Sequence, residues 1–215
     1  MIEILENGKD MVLCVKPVGV SSQAEGEAGL PKLLALQLGC EIFPVHRLDQ
    51  AVGGVMVFAK TAPAAARLSK AVQEGTLQKE YLAVLEKRPA ADSGVLEDLL
   101  YHDRFKNKTY VVTRERKGVK KAKLSYQILA ELDGKCLVHV RLYTGRTHQI
   151  RVQFASRGCP LIGDGKYGGR GKAPAPALWS YAVTIGGKRV HRLPERTGVW
   201  EQFSPALASF AASAE

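Results

Sequence analysis

Long apolar runs are missing from this chain of 215 residues, and so is any close pairing of cysteines. No stretch reaches the roughly 18 apolar residues that a bilayer-crossing helix needs. The opening MIEILENGKD lacks the basic and apolar regions of a secretion signal. A cytoplasmic protein with no membrane partner is therefore expected. Cys14, Cys40, Cys136 and Cys159 are scattered, with no C-x-x-C pair and no histidine at zinc-site spacing. They read as reduced thiols, and no metal is expected. Acidic residues are scarce in one place: residues 101 to 172 hold 17 of the 31 Lys and Arg but 5 of the 21 Asp and Glu. The rest of the chain is nearly neutral, so the formal charge of +10 belongs to this stretch. A solvated face explains a charge run of this kind, and so does a polyanionic partner whose phosphates release counterions on binding. With 46% hydrophobic and 24% charged residues, the chain is globular and disorder is excluded.

Hydrophobic spacing and turn chemistry divide the chain into short strands and a few helices. Residues 11–16 read as a buried strand, and 31–38 as a helix opened by Pro31 and closed by Gly39. Residues 53–60 form a second strand, and 62–74 a helix capped by Thr61 and ended by Gly75. Residues 78–86 alternate as a strand does. Asp133-Gly134 and Gly186-Gly187 each predict a hairpin, over 124–143 and 180–192. Hairpins with few helices predict an α+β fold with a mixed, mostly antiparallel sheet flanked by helices. One domain over 1–205 is expected, with a frayed tail over 206–215.

Three segments carry chemistry. In Pro44-Val45-His46-Arg47-Leu48-Asp49-Gln50 a carboxylate beside a cation precedes Gly53-Gly54, as suits a positioned nucleophile that a substrate can approach. Taken alone, these residues fit a turn aspartate paired to its own arginine better. In Lys79-Glu80-Tyr81 the strand period puts Lys79 and Tyr81 on one face, where Tyr81 serves either a cleft or the core. In Gly145-Arg146-Thr147-His148-Gln149-Ile150-Arg151, Thr147 reads as a helix N-cap, and Arg146, His148 and Arg151 gather where anions are favoured. The loop Gly163-Asp164-Gly165-Lys166-Tyr167-Gly168-Gly169 lacks phosphate-loop spacing. It reads as a tight, conformationally demanding turn.

In this order, KPVGVSS, HRLDQAVGGVMVFAKT, KEYLAVLE and GRTHQIRVQFASRGCPLIGDGKYGG resemble the signature blocks of the RluA family of pseudouridine synthases, from about Val15 to Gly169. The resemblance implies an α+β fold split by a basic catalytic cleft, and isomerisation of uridine in ribosomal or transfer RNA without metal or cofactor. It implies Asp49 as the catalytic aspartate, Tyr81 as the tyrosine beneath the target base, and Arg151 as the basic partner of the aspartate. It implies that His46 and Arg47 approach the RNA, with Arg47 filling the gap left by a flipped uridine in a stem-loop, and that Arg146 and His148 contact phosphate. The exposed run is expected to add Lys117, Lys120 and Lys121 to the RNA-binding set.

The sequence departs from the family pattern at Val52-Gly53-Gly54, where a hydroxyl is usual, and at Gln153, where histidine is usual. Each change is expected to bear on substrate contacts. About 15 residues precede KPVGVSS, so a stand-alone, monomeric catalytic domain is expected to recognise RNA by itself. A catalytically silent RNA-binding protein or RNA folding helper on the same fold is the alternative. A glycoside hydrolase would need paired carboxylates, and only Glu80 stands near these blocks, on the strand face opposite Tyr81.

Overall fold

The computed structural model describes residues 1–23, 29–170 and 173–213. In chain order its elements are β1 (Ile4–Asn7), β2 (Met11–Lys16), α1 (Leu30–Leu38), β3 (Phe43–Pro44), β4 (Gly53–Ala59), α2 (Ala62–Glu74) and β5 (Gln78–Leu85). There follow β6 (Ser93–Asp103), β7 (Lys108–Val112), β8 (Val119–Leu132), β9 (Lys135–Leu142), α3 (Gln149–Ala155), β10 (Leu178–Ile185), β11 (Lys188–His191), α4 (Val199–Gln202) and α5 (Ser204–Ser213). The fold is mixed α+β with mostly antiparallel strands, as the hairpin signals predict. It divides into two compact units, Met1–Lys79 with Trp179–Arg192, and Glu80–Leu178 with Leu193–Glu215.

In the first unit β2 lies between β1 and β4, antiparallel to both, and β10 joins β4 in parallel. Every residue of β4 is buried, which is why GGVMVFA reads as a continuous apolar run rather than an alternating one. Helix α2 lays Ala64 and Leu68 onto Leu13, Val55, Val57 and Val183. The Thr61 side chain accepts a hydrogen bond from the Ala64 N–H, and Gly75 ends the helix in the left-handed region.

In the second unit β6, β7, β8 and β9 form an antiparallel ladder in the order β9–β8–β6–β7. The β8–β9 hairpin turns on Asp133 (φ 51°) and Gly134 (φ 73°), the geometry that Asp-Gly favours. Strand β8 begins at Val119, earlier than its apolar pattern suggests, because its lysine-rich start still pairs with Tyr101 to Leu99 of β6.

Two local expectations are corrected. Thr147 does not cap α3: the cap is His148, in the left-handed region and without a side-chain bond. Gln149 fixes the loop that leads into the helix, accepting from the Arg146 N–H (3.0 Å) and the Thr144 hydroxyl (2.8 Å) and donating to the Lys123 carbonyl (3.1 Å). The tail is not frayed through residue 213, since α5 occupies it with Leu207 buried. Residues 214 and 215 lie outside the described residues.

Candidate active site

Asp49 sits in the loop between β3 and β4, flanked by side chains that anchor inward. His46 and Leu48 are buried, Arg47 is exposed and Asp49 is half-buried. His46 Nε2 accepts a hydrogen bond from the Val57 N–H (3.2 Å), so the neutral ring carries its proton on Nδ1. Burial, reinforced by the Lys79 charge, pushes its pKa down to about 3. His46 therefore anchors the loop from inside, with its ring turned to the Val57 backbone.

The turn over residues 17–22 holds the Asp49 loop from both sides. Ser22 Oγ donates to the Leu48 carbonyl (2.9 Å) and accepts from the Leu48 N–H (3.2 Å). The Gly19 N–H donates to the Gln50 carbonyl (2.8 Å), and Gln50 Nε2 donates back to the Gly19 carbonyl (2.9 Å). Both chain neighbours of Asp49 are thus clamped. Lys16 lies wholly buried beneath, its Nζ donating to the carbonyls of Pro17 (2.9 Å), Val20 (2.7 Å) and Gln50 (3.1 Å). Burial pushes its pKa down to about 8, against the opposing pull of the Asp49 carboxylate. This gives KPVGVSS a physical reason to accompany HRLD. The sequence reading passes over Lys16, although it is the only charge in MVLCVK.

Gly53 and Gly54 make room for β10. Gly54 has φ 119°, and a Cβ there would lie 2.2 Å from the Ser180 carbonyl oxygen. A Cβ at Gly53 would lie 2.5 Å from the Trp179 ring. The glycines admit β10 alongside β4 where it carries the motif loop, and Ser180 Oγ secures the contact on the Val55 carbonyl (2.8 Å).

The second unit builds a cluster around Arg151 on α3. Its guanidinium donates twice to Asp164, Nε to Oδ2 and Nη2 to Oδ1, both at 2.7 Å, and both side chains are buried. Two parallel bonds fix the plane of the guanidinium as well as its position. The Tyr167 ring lies 5.1 Å from that group, and its hydroxyl accepts from the Thr109 N–H (2.7 Å) and sits 2.9 Å from His148 Nδ1. Burial raises the Tyr167 pKa. Thr109 Oγ1 donates to the Thr147 carbonyl (2.9 Å) and faces His102 Nδ1 (3.1 Å). Arg146 Nε bonds the Lys121 carbonyl (2.9 Å), tying the RTHQIR loop to β8. Asp164 and Tyr167 come from the glycine-rich loop, whose tight turn was legible but whose contacts with Arg151 were not.

On β5, Lys79 and Tyr81 are both buried, and burial lowers the Lys79 pKa. Glu80 lies on the other strand face and bonds His139 (2.9 Å). Gln153 is fully buried and donates to Asp98 (2.7 Å), so its departure from the usual histidine is absorbed inside the second unit. Lys117, Lys120 and Lys121 are exposed, but alternation along β8 places Lys120 and Lys121 on opposite faces. Among the described residues no three His, Cys, Asp or Glu side chains are grouped as a metal site requires, and no helix is long and apolar enough to cross a membrane.

Residues 10–156 match the RNA pseudouridylate synthase family. The chain belongs to that family. The matched range contains the Asp49 loop, Tyr81 and Arg151, while Asp164 and Tyr167 lie beyond it. An uncharacterised RNA pseudouridine synthase of Bacillus subtilis is 34% identical over 183 residues, covering 80% of this chain and 59% of that protein. Another, from Zymomonas mobilis, is 33% identical over 185 residues, covering 83% and 84%. Ribosomal large subunit pseudouridine synthase D of Escherichia coli is 37% identical over 141 residues, covering 66% of this chain and 42% of that protein. The chain thus spans less than two thirds of the Bacillus and Escherichia proteins. The solved structure of human RNA pseudouridylate synthase domain containing 4 shares the fold, with a TM-score of 0.77 at 21% identity, over 96% of this chain and 93% of its own. Membership in the pseudouridylate synthase family agrees with the motif blocks read from the sequence.

Proposed function

We propose that this chain isomerises uridine in RNA to pseudouridine, with Asp49 as the nucleophile. The reaction breaks the bond from N1 of the base to C1′ of the ribose, turns the base and forms a bond from C5 to C1′. The C5 proton leaves and N1 gains one, so no oxidant and no second substrate is consumed. Asp49 attacks the sugar or assists detachment of the base, which calls for a carboxylate held still beside a reacting carbon.

The observation that carries this reading is the clamped loop: Leu48 and Gln50 are both bonded to the 17–22 turn, and Asp49 stands between them half-buried. Arg151 is assigned as the partner that orients the carboxylate. Its own orientation by Asp164 suits that task, since a guanidinium already locked in one plane loses little freedom when it binds a second anion. Tyr81 is assigned to the face of the target base and to movement of the C5 proton, and Arg47, exposed at the loop tip, to the space left by the flipped nucleotide. The names of several relatives refer to the large ribosomal subunit, which makes ribosomal RNA the first substrate class to examine and transfer RNA the second.

Asp49→Asn tests the assignment, because the amide keeps the shape and removes the charge. The variant is expected to fold and to bind RNA while forming no pseudouridine in total RNA from cells that lack the native protein. Turnover within about tenfold of the native rate would remove Asp49 from the chemistry.

A further inference from the structure

The β6–β9 ladder has one face packed and one face open. Leu100 of β6 and Ala122 of β8 pack against Val152 of α3, and Phe154 of α3 meets Tyr126 edge to face. Residues directly opposite each other in a ladder share a face. Tyr101 lies opposite both Tyr110 and Val119, Glu97 opposite Lys123, and Ser125 opposite Arg141. These residues therefore occupy the face turned away from α3 and from the Arg151 cluster.

That open face combines rings with cations. The Arg116 guanidinium lies 4.6 Å from the centre of the Tyr101 ring, and at the β7 edge Lys108 Nζ lies between two rings, 5.9 Å from the centre of Tyr110 and 5.4 Å from that of Tyr167. Tyr143, just past β9, has Arg141 at 5.6 Å and Lys123 at 5.8 Å, with its hydroxyl 3.3 Å from Ser125 Oγ. Tyr110 and Tyr143 keep 36% and 46% of their surface exposed. The acids on this face are Glu97, Asp103 and Glu115: Glu97 and Glu115 pair with Lys123 and Lys121 at exposed positions, and Asp103 lies opposite Lys108 and accepts from the Lys106 N–H. Such pairs are weak and a phosphate can replace the carboxylate. At its far end the face is covered, where Phe210 of α5 lies against His139.

We propose that this open face, from Tyr110 through Tyr101 and Lys121 to Tyr143, is a second RNA-binding surface that stacks the bases of a single-stranded segment while its cations follow the backbone. The proposal rests on the reading of RNA as substrate and places a further contact on it. Exposed rings interleaved with cations are what sequence-tolerant binding of single strands uses. A protein partner would call for a less lysine-rich, more apolar surface. The local excess of positive charge over residues 101 to 172 favours the nucleic acid.

The test uses the full chain carrying Asp49→Asn, so that no turnover occurs, and a fluorescent oligouridylate of about 12 nucleotides as the probe. An abasic strand of equal length is the control for charge alone. Tyr110→Ala and Tyr143→Ala together are expected to weaken oligouridylate binding by tenfold or more, at roughly a factor of five to a hundred per stacked base. Binding of the abasic strand is expected to stay within about twofold, with an unchanged salt slope. Tyr110→Phe with Tyr143→Phe keeps the rings and is expected to bind as the parent does, which separates stacking from any loss of fold. Equal oligouridylate affinity in the alanine and parent proteins would overturn the proposal. So would displacement of the oligouridylate by polyglutamate peptide at equal charge concentration, which would make the face a site for acidic protein. Failure of the uridine-isomerisation reading would appear elsewhere, as pseudouridine formation unaffected by Asp49→Asn.

Discussion

His46 decides whether the HRLD block is held from inside or reaches outward to RNA, and acid titration tells the two apart. In the folded chain its ring accepts from the Val57 N–H and its pKa lies at about 3, against an ordinary value near 6.5. Between those two values the unfolded chain binds a proton that the folded chain refuses, so stability rises with pH across this window and falls on acidification. Going from about pH 7 to about pH 4.5, this one group is expected to cost the native state about 2 to 3 kcal/mol, a large share of the roughly 5 to 15 kcal/mol that holds a domain together. His46→Gln keeps an oxygen that can accept from Val57 but does not titrate. Urea unfolding of both proteins at the two pH values gives the assay. The other titrating groups are common to the two, so the native protein should lose about 2 to 3 kcal/mol more than the variant. If the two lose the same stability, His46 is open to protons in the folded state and the interior-anchor argument fails. The salt slope of RNA binding provides a second reading and is expected to be the same in both.

Asp164→Asn leaves the buried Arg151 guanidinium without its ionised partner, which costs about 3 to 5 kcal/mol and lowers the melting temperature by roughly 10 °C; an unchanged melting temperature would show that the pair is not structural. Tyr81→Phe keeps the ring, so turnover reduced about a hundredfold with little change in melting temperature is expected if the hydroxyl moves the C5 proton, and native turnover would leave stacking as its role. Neutralising Lys117, Lys120 and Lys121 together should flatten the salt dependence of RNA affinity, by up to about 0.9 of slope for each phosphate that no longer meets a cation. Since Lys120 and Lys121 point to opposite faces, single neutralisations are expected to act unequally, and equal effects would argue for a diffuse field rather than defined phosphate partners.

Local chemistry was enough to determine much of this protein from the sequence. Thr61 and Gly75 bound α2, Gly39 ends α1, and Asp133-Gly134 and Gly186-Gly187 turn two hairpins, because caps and tight turns depend on the backbone preferences of one or two residues. The blocks around Asp49, Tyr81 and Arg151 were legible for a different reason: their residue types and order identify the family. Only the tertiary structure decided what those blocks are attached to. Gly54 is needed for β10, a strand far along the chain, and His46 turns inward because Val57 offers it a donor. Gln149 ties the start of α3 to Lys123 on β8, and Asp164 meets Arg151 from a loop whose glycines showed a turn but no partner. Lys16 is a buried cation because three carbonyls from two separate loops converge on it. In each case at least one deciding neighbour comes from another element or loop, and because burying a polar group without a partner is costly, the fold and not the local pattern chooses it.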